Sequence, residues 1–221
     1  VSLAVTANDT LTVSSPDQNI ALSIVRYNDG VIKYSSSYKN KTVIRPSALG
    51  FKLKNPDKSL LRFDLTSSEK NQVDETWIPV WGEVKQIRNH CNEITLKLKE
   101  NSGSGILMNI VFRVFNDGVG FRYEFPAQPN LKHFIIADEL TEFAMTGDHN
   151  TFWIPGDYDT NEYTYYNSNL SKVDASGGGF AQEIHAKTFF DKNAVQTPLM
   201  MKSAEGLYIN IHEAALVNYP A

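Results

Sequence analysis

The sequence predicts an all-β protein, a large antiparallel sandwich with few and short helices. Three observations carry this. Alternation of apolar and polar residues is the dominant period along the chain. No window keeps a helical period over several turns, and clusters of Asn, Asp and Gly separate the alternating runs.

The elements follow in order. Ile20, Leu22 and Ile24 alternate with smaller residues, and Asn28-Asp29-Gly30 offers a turn before a second run, Val31 to Tyr34. Leu49, Phe51 and Leu53 alternate with Gly50, Lys52 and Lys54. Leu61, Phe63 and Leu65 alternate with Arg62 and Asp64, and Ile94, Leu96 and Leu98 with Thr95, Lys97 and Lys99. Each reads as a strand with one face inward and one in water. The clearest hairpin lies between residues 106 and 125. Ile106, Met108, Ile110, Phe112 and Val114 share one face, and Asn116-Asp117-Gly118 turns the chain through residues that accept positive φ. Val119, Phe121, Tyr123 and Phe125 return, until Pro126 removes a ladder donor. Shorter strands are predicted over 133–137, 140–145, 151–154 and 207–211. Residues 167–194, with glycines at 177–179, read as a long surface excursion. No repeat or linker divides the chain, so residues 1–221 read as one domain.

A chain of 221 residues can bury a sizeable core. Its net charge of −4 comes from interspersed acids and bases, whereas a nucleic-acid backbone rewards a clustered basic face. No apolar run approaches the roughly 20 residues that a membrane helix needs. Cys91, the single cysteine, has no intramolecular disulfide partner. The start at Val1-Ser2-Leu3, without an initiator Met, is what a processed export signal or an excised piece would leave.

Several catalytic signatures fail on single residues. His212-Glu213-Ala214-Ala215-Leu216 opens like a zinc-protease helix but has Leu216 where the second histidine must stand. Asp157, Asp159 and Asn161 mimic the first ligands of an EF-hand loop, which then needs Gly and Glu where this chain has Glu162 and Ser168. The glycines at 177–179 lack the spacing of a phosphate loop, and no Gly-x-Ser-x-Gly elbow is present. Cys91 has His90 beside it in sequence, but strand neighbours point to opposite faces. No complete active site is read.

Three stretches carry more polar and aromatic residues than a sandwich requires: Asp74 to His90, Phe152 to Tyr166, and Ile211 to Leu216. Aromatics mixed with carboxylates suit sugars, because a ring covers the C–H face of a pyranose while carboxylates accept from its hydroxyls. Clustered carboxylates equally suit calcium. Trp77 and Trp81 also read as core or interface anchors, and Glu213 as one half of a loop salt bridge.

The same stretches resemble glycoside hydrolase family 97. The resemblance rests on Asp74-Glu75-Thr76-Trp77, Pro79-Val80-Trp81-Gly82-Glu83 and Ile87-Arg88-Asn89-His90. It continues through Phe115 to Pro126, Trp153-Ile154-Pro155-Gly156-Asp157-Tyr158-Asp159-Thr160, and Gly206 to Leu216. These motifs stand in order from about Ser15 to the end, with Cys91 where an aromatic residue is usual. The resemblance implies a galactose mutarotase-like β-super-sandwich that precedes a (β/α)8 catalytic barrel, the sandwich running on past Ala221. It implies a periplasmic or otherwise secreted bacterial exo-acting α-glucosidase or α-galactosidase that is calcium-dependent, with its catalytic carboxylates in the barrel. It also implies one metal ligand from this chain, Glu162. Asp157, Asp159, Tyr163, Trp153 and Glu213 are then candidates for contact with the oligosaccharide substrate or with the barrel. Two other readings remain: a free-standing carbohydrate-binding sandwich without catalysis, and an epimerase using His212 and Glu213.

Overall fold

A computed structural model describes residues 7–176 and 191–215, which fall into two compact units divided between Thr146 and Gly147. All strand pairs are antiparallel. The one helical element among the described residues is a 3-10 turn, Leu170–Lys172. The all-β expectation holds.

The first unit has three sheets. In the first, β1 (Ala7–Ser14), β2 (Ile20–Tyr27), β3 (Ile32–Tyr38) and β4 (Lys41–Ala48) pair in chain order. Leu22 and Ile24 of β2 and Ile32 and Tyr34 of β3 are buried, as their alternation requires. The turn between them needs glycine: Gly30 sits at φ +83°, and a Cβ there would meet Asn101 Nδ2 at 2.4 Å. The second sheet runs in the order β10 (Val119–Glu124), β9 (Leu107–Val114), β8 (Ile87–Glu100), β7 (Phe63–Trp77). The third joins β11 (Ile135–Glu139), β5 (Phe51–Asn55) and β6 (Asp57–Leu60).

Rings knit these sheets into one core. Tyr34 lies 6.1 Å from Phe112 and 5.7 Å from Phe121, and Phe51 lies 4.5 Å from Tyr123. Met108, Ile110, Phe112 and Val114 are all sealed from water. Such burial contributes on the order of 1.5–3 kcal/mol per large apolar side chain.

Several boundaries differ from the sequence expectation. The hairpin at 106–125 forms, but its turn carries no positive φ. Residues 115–118 make a four-residue loop closed by Phe115 N–H to Gly118 O at 2.8 Å, and loops of that length are usually built on a type I turn. Leu60, at the end of β6, is buried in place of Leu61. The strand expected over 133–137 lies two residues later. Residues 140–145 form no strand, only a bridge from Met145 to Ile44. β7 runs far beyond Leu65 through a polar stretch, held by cross-strand partners on β8: Lys97 with Glu69, Arg88 with Asp74, Asn89 with Glu75.

The second unit is a sheet in the order β13 (Tyr166–Asn169), β12 (Asn150–Trp153), β14 (Leu199–Lys202), β15 (Tyr208–Ile211). Trp153, Ile154, Tyr163 and Ala175 form its buried cluster, with Tyr166, Val173, Val195 and Leu199 against them. Glycines 177–179 and Leu216 lie outside the described residues.

Candidate functional site

The loop that follows β12 is ordered by its own short polar side chains. Asp157 Oδ1 accepts the backbone N–H of Asp159 at 2.8 Å and of Thr160 at 3.3 Å. This is an Asx turn, the local alternative that Asp offers a backbone outside helix or sheet. Thr160 Oγ1 repeats the device one step on, accepting the N–H of Glu162 at 3.1 Å. Neighbouring chain fixes the loop from outside. Gly156 N–H donates to Ala194 O at 2.8 Å, and Gln196 Nε2 donates to the carbonyls of Asp157 at 2.9 Å and Thr160 at 3.3 Å.

The loop's inner side is anchored in the core. Tyr163, only 7% exposed, donates its phenol proton to Asp157 Oδ2 at 2.6 Å. Burial, reinforced by that carboxylate, pushes its ionisation up to about 12. Trp153, 4% exposed, stacks 5.3 Å from Tyr166 and donates from Nε1 to Ser168 Oγ at 3.0 Å. Both candidates are therefore buried, Tyr163 bracing the loop through Asp157 and Trp153 packed in the same cluster.

The outer side is open. Glu162 is exposed, and its carboxylate makes no hydrogen bond or ion pair among the described residues. Asp159, Tyr158 and Tyr165 are exposed beside it in sequence. Glu213 is exposed just past β15, where Thr197 Oγ1 donates to it at 3.3 Å, and His212 beside it is exposed too. Among the described residues no three His, Cys, Asp or Glu side chains stand close enough to hold a metal ion. Asp157 spends both oxygens on the loop, whereas the Glu162 carboxylate stands exposed and without a partner among the described residues. That donor set fits one ligand of a calcium cage with six to eight oxygens, most of them supplied from elsewhere.

The tryptophans of the first stretch lie in no core. Trp77 and Trp81 are both exposed, at the end of the β7–β8 hairpin. Sequence alone left a sugar-binding role, core and interface open for them.

Residues 13–221 match the family described as Glycosyl-hydrolase 97 N-terminal. A retaining alpha-galactosidase of Bacteroides thetaiotaomicron is 24% identical over 231 aligned residues, covering 99% of this chain and 31% of that protein. A glycoside hydrolase family 97 enzyme from Pseudoalteromonas sp. strain K8, solved in complex with panose, is 35% identical with a TM-score of 0.81. The match covers 96% of this chain and 29% of the enzyme. A β-arabinopyranosidase structure shares the fold at 19% identity and a TM-score of 0.63, over 87% of this chain and 29% of that one. The chain thus spans less than a third of the length of these relatives.

Proposed function

The chain belongs to the glycosyl-hydrolase 97 N-terminal family, and from that premise we propose that it is the N-terminal part of an exo-acting α-glycosidase. The parent enzyme would release terminal α-linked glucose or galactose. Its catalytic carboxylates would stand in a following (β/α)8 barrel, and this chain would wall the site and lend Glu162 to a calcium ion. The observation that carries the reading is the exposed, unpartnered Glu162 carboxylate on a loop braced by Asp157, Thr160 and Tyr163. A ligand held ready in this way loses little freedom on binding. The relatives support the substrate class: one is a retaining alpha-galactosidase and another was solved with panose.

Bound calcium would supply fixed positive charge that orients sugar hydroxyls and neighbouring carboxylates. The residues of this chain supply the rest of the derivation. Asp157 sets the turn, Thr160 orients the Glu162 backbone, and Gln196 pins both carbonyls. Asp159, exposed on the same loop, and Glu213, exposed just past β15, are the remaining candidates for contact with sugar or barrel. The compartment that goes with this reading is the bacterial periplasm or cell exterior, which an export leader on the parent gene would support.

The test compares the full-length gene product with its Glu162→Gln variant on aryl α-glucosides and α-galactosides, with calcium and with chelator. The reading expects hydrolysis by the wild type, lost on chelation and restored by calcium, and a variant needing more calcium for the same rate. A parent product with neither α-glycosidase activity nor further polypeptide would favour a free-standing sugar-binding sandwich instead.

A further inference from the structure

The β7–β8 hairpin of the first unit ends in an apolar tip that the unit itself leaves uncovered. Its strands keep unbroken register from Ser67 opposite Lys97 to Trp77 opposite Ile87, and residues 78–86 join them. At this end Trp77 is 51% exposed, Trp81 is 88% exposed, and Ile78, Val80 and Val84 stand in water with them. Two indoles at such exposure present on the order of 300 Å² of apolar surface. With three aliphatic neighbours the patch reaches the size that marks an interaction site on a soluble protein.

The stalk beneath is ordered in advance. Arg88 holds Asp74 through two bonds of 2.7 Å, and Asn89 Nδ2 donates to Glu75 Oε1 at 2.7 Å. Glu75 and Asn89 face each other across the ladder, while Arg88, opposite Thr76, reaches Asp74 diagonally. An ordered stalk reduces the entropy lost when the tip is seated.

We propose that this tip is an anchor that seats in the rest of the parent polypeptide, the catalytic body, and fixes the N-terminal part against it. The inference rests on the reading above that such a body exists. Length supports that occupant: in the solved enzyme that this chain matches over 96% of itself, the matched part is only 29% of the whole. Composition separates it from a sugar. A sugar platform pairs ring faces with hydroxyl-binding groups, whereas Ile78, Val80 and Val84 gain only from a desolvated protein pocket, where tryptophans are the usual energetic centres. A second copy competes at its bulk concentration, while a tethered body acts at an effective concentration in the millimolar range.

Hydrogen exchange on the full-length protein tests this. Amides 77–86 should exchange more slowly than free chain by about tenfold or more, at every protein concentration and without added sugar. Trp77→Ser combined with Trp81→Ser in the same protein should remove that slowing while leaving the exchange of β9 unchanged, which shows the core intact. Exchange of 77–86 at the free-chain rate in an active enzyme would overturn the anchor and leave the glycosidase reading standing. Slowing that appears only at high concentration would assign the tip to a second copy, and slowing only with oligosaccharide would assign it to substrate; either result overturns the anchor. Slow exchange in a full-length product without α-glycosidase activity would keep the anchor and remove the enzyme.

Discussion

Tyr163 donates its phenol proton to Asp157 Oδ2 across 2.6 Å, while the other oxygen of the same carboxylate accepts the N–H groups of Asp159 and Thr160. One side chain thus joins the buried cluster of the second unit to the exposed loop that carries Glu162. Because burial first, and Asp157 second, raise the phenol to about 12, the neutral phenol is favoured in the fold. Its contribution is complete below the ordinary tyrosine value near pH 10 and is lost as pH rises from there towards 12. Tyr163→Phe should lower stability by about 1.5–3 kcal/mol at neutral pH, the usual cost of a hydrogen bond to a charged acceptor. It should also flatten the alkaline decline. Denaturant unfolding of the full-length protein at pH 7, 9 and 11 reads both effects, with about half of the phenol's contribution gone at ~pH 11.

Glu162 is expected to behave in the opposite way, with no effect on the fold and a large one on the ion. Its carboxylate has no partner among the described residues, so Glu162→Gln should leave calcium-free stability unchanged within about 0.5 kcal/mol. Calcium affinity of the parent enzyme should fall by about tenfold or more, since the cage loses a charged oxygen. Calorimetric titration with calcium, beside a melt in chelator, separates the two. Equal affinity for variant and wild type would remove Glu162 from the site.

The difference between Tyr163 and Glu162 also marks what was legible in the sequence. The Asx and ST turns of Asp157-Tyr158-Asp159-Thr160-Asn161-Glu162 follow from local chemistry, whereas Glu162 is singled out as a proposed metal ligand only through the family resemblance. The burial of Trp153 and exposure of Trp77 could not be read, because both lie in mixed aromatic and acidic runs and only tertiary packing separates them. The same limit explains β7. Ser67-Ser68-Glu69-Lys70-Asn71-Gln72 has no apolar alternation and is a strand because β8 pairs with it. Met108 to Val114, by contrast, buries one full face, and there the period alone was enough.

Glu100 supplies an acid-side prediction. Burial opposes its ionisation, but hydrogen bonds from Ser102 and Ser104, and Lys58 at 3.1 Å, outweigh burial and hold the carboxyl down at about 2. A depressed carboxylate stabilises the fold above its unfolded value, and that stability is lost as pH falls from about 4.5 to about 2. Glu100→Gln should cost on the order of 2 kcal/mol at pH 7 and nearly nothing near pH 2. Urea unfolding at a series of acidic pH values checks it; a cost that does not change with pH would mean the carboxylate acts only through shape.

Phe112 tests the ring core. It is fully buried, 5.4 Å from Phe121 and 6.1 Å from Tyr34. Phe112→Ala should destabilise by about 3–5 kcal/mol through lost transfer energy and the cavity left behind. Phe112→Leu should cost less than half of that. The ratio, read from denaturant midpoints at constant m-value, reports how far the neighbouring rings can close the gap.

Gly50 and Gly118 form a matched pair, since both lie beside strands but only one is constrained. At Gly50, φ is +150°, and a Cβ would stand 2.4 Å from Leu60 O and 2.9 Å from Leu61 Cδ2. The carbonyl belongs to paired backbone, because Leu60 faces Phe51 across β5 and β6. It cannot yield without breaking that ladder, and Gly50 O itself accepts Leu140 N–H at 2.8 Å. Gly50→Ala therefore meets both a disfavoured φ and a backbone clash, and should cost about 2 kcal/mol or more. At Gly118 nothing lies within 4 Å of the same added atom, and φ lies outside the left-handed region. Gly118→Ala should be neutral or stabilise by a few tenths of about 1 kcal/mol, because alanine restricts the unfolded chain. Thermal melts of the two variants side by side decide it: similar losses at both sites would show that chain entropy, and not the approach of Leu60 to Gly50, governs these turns.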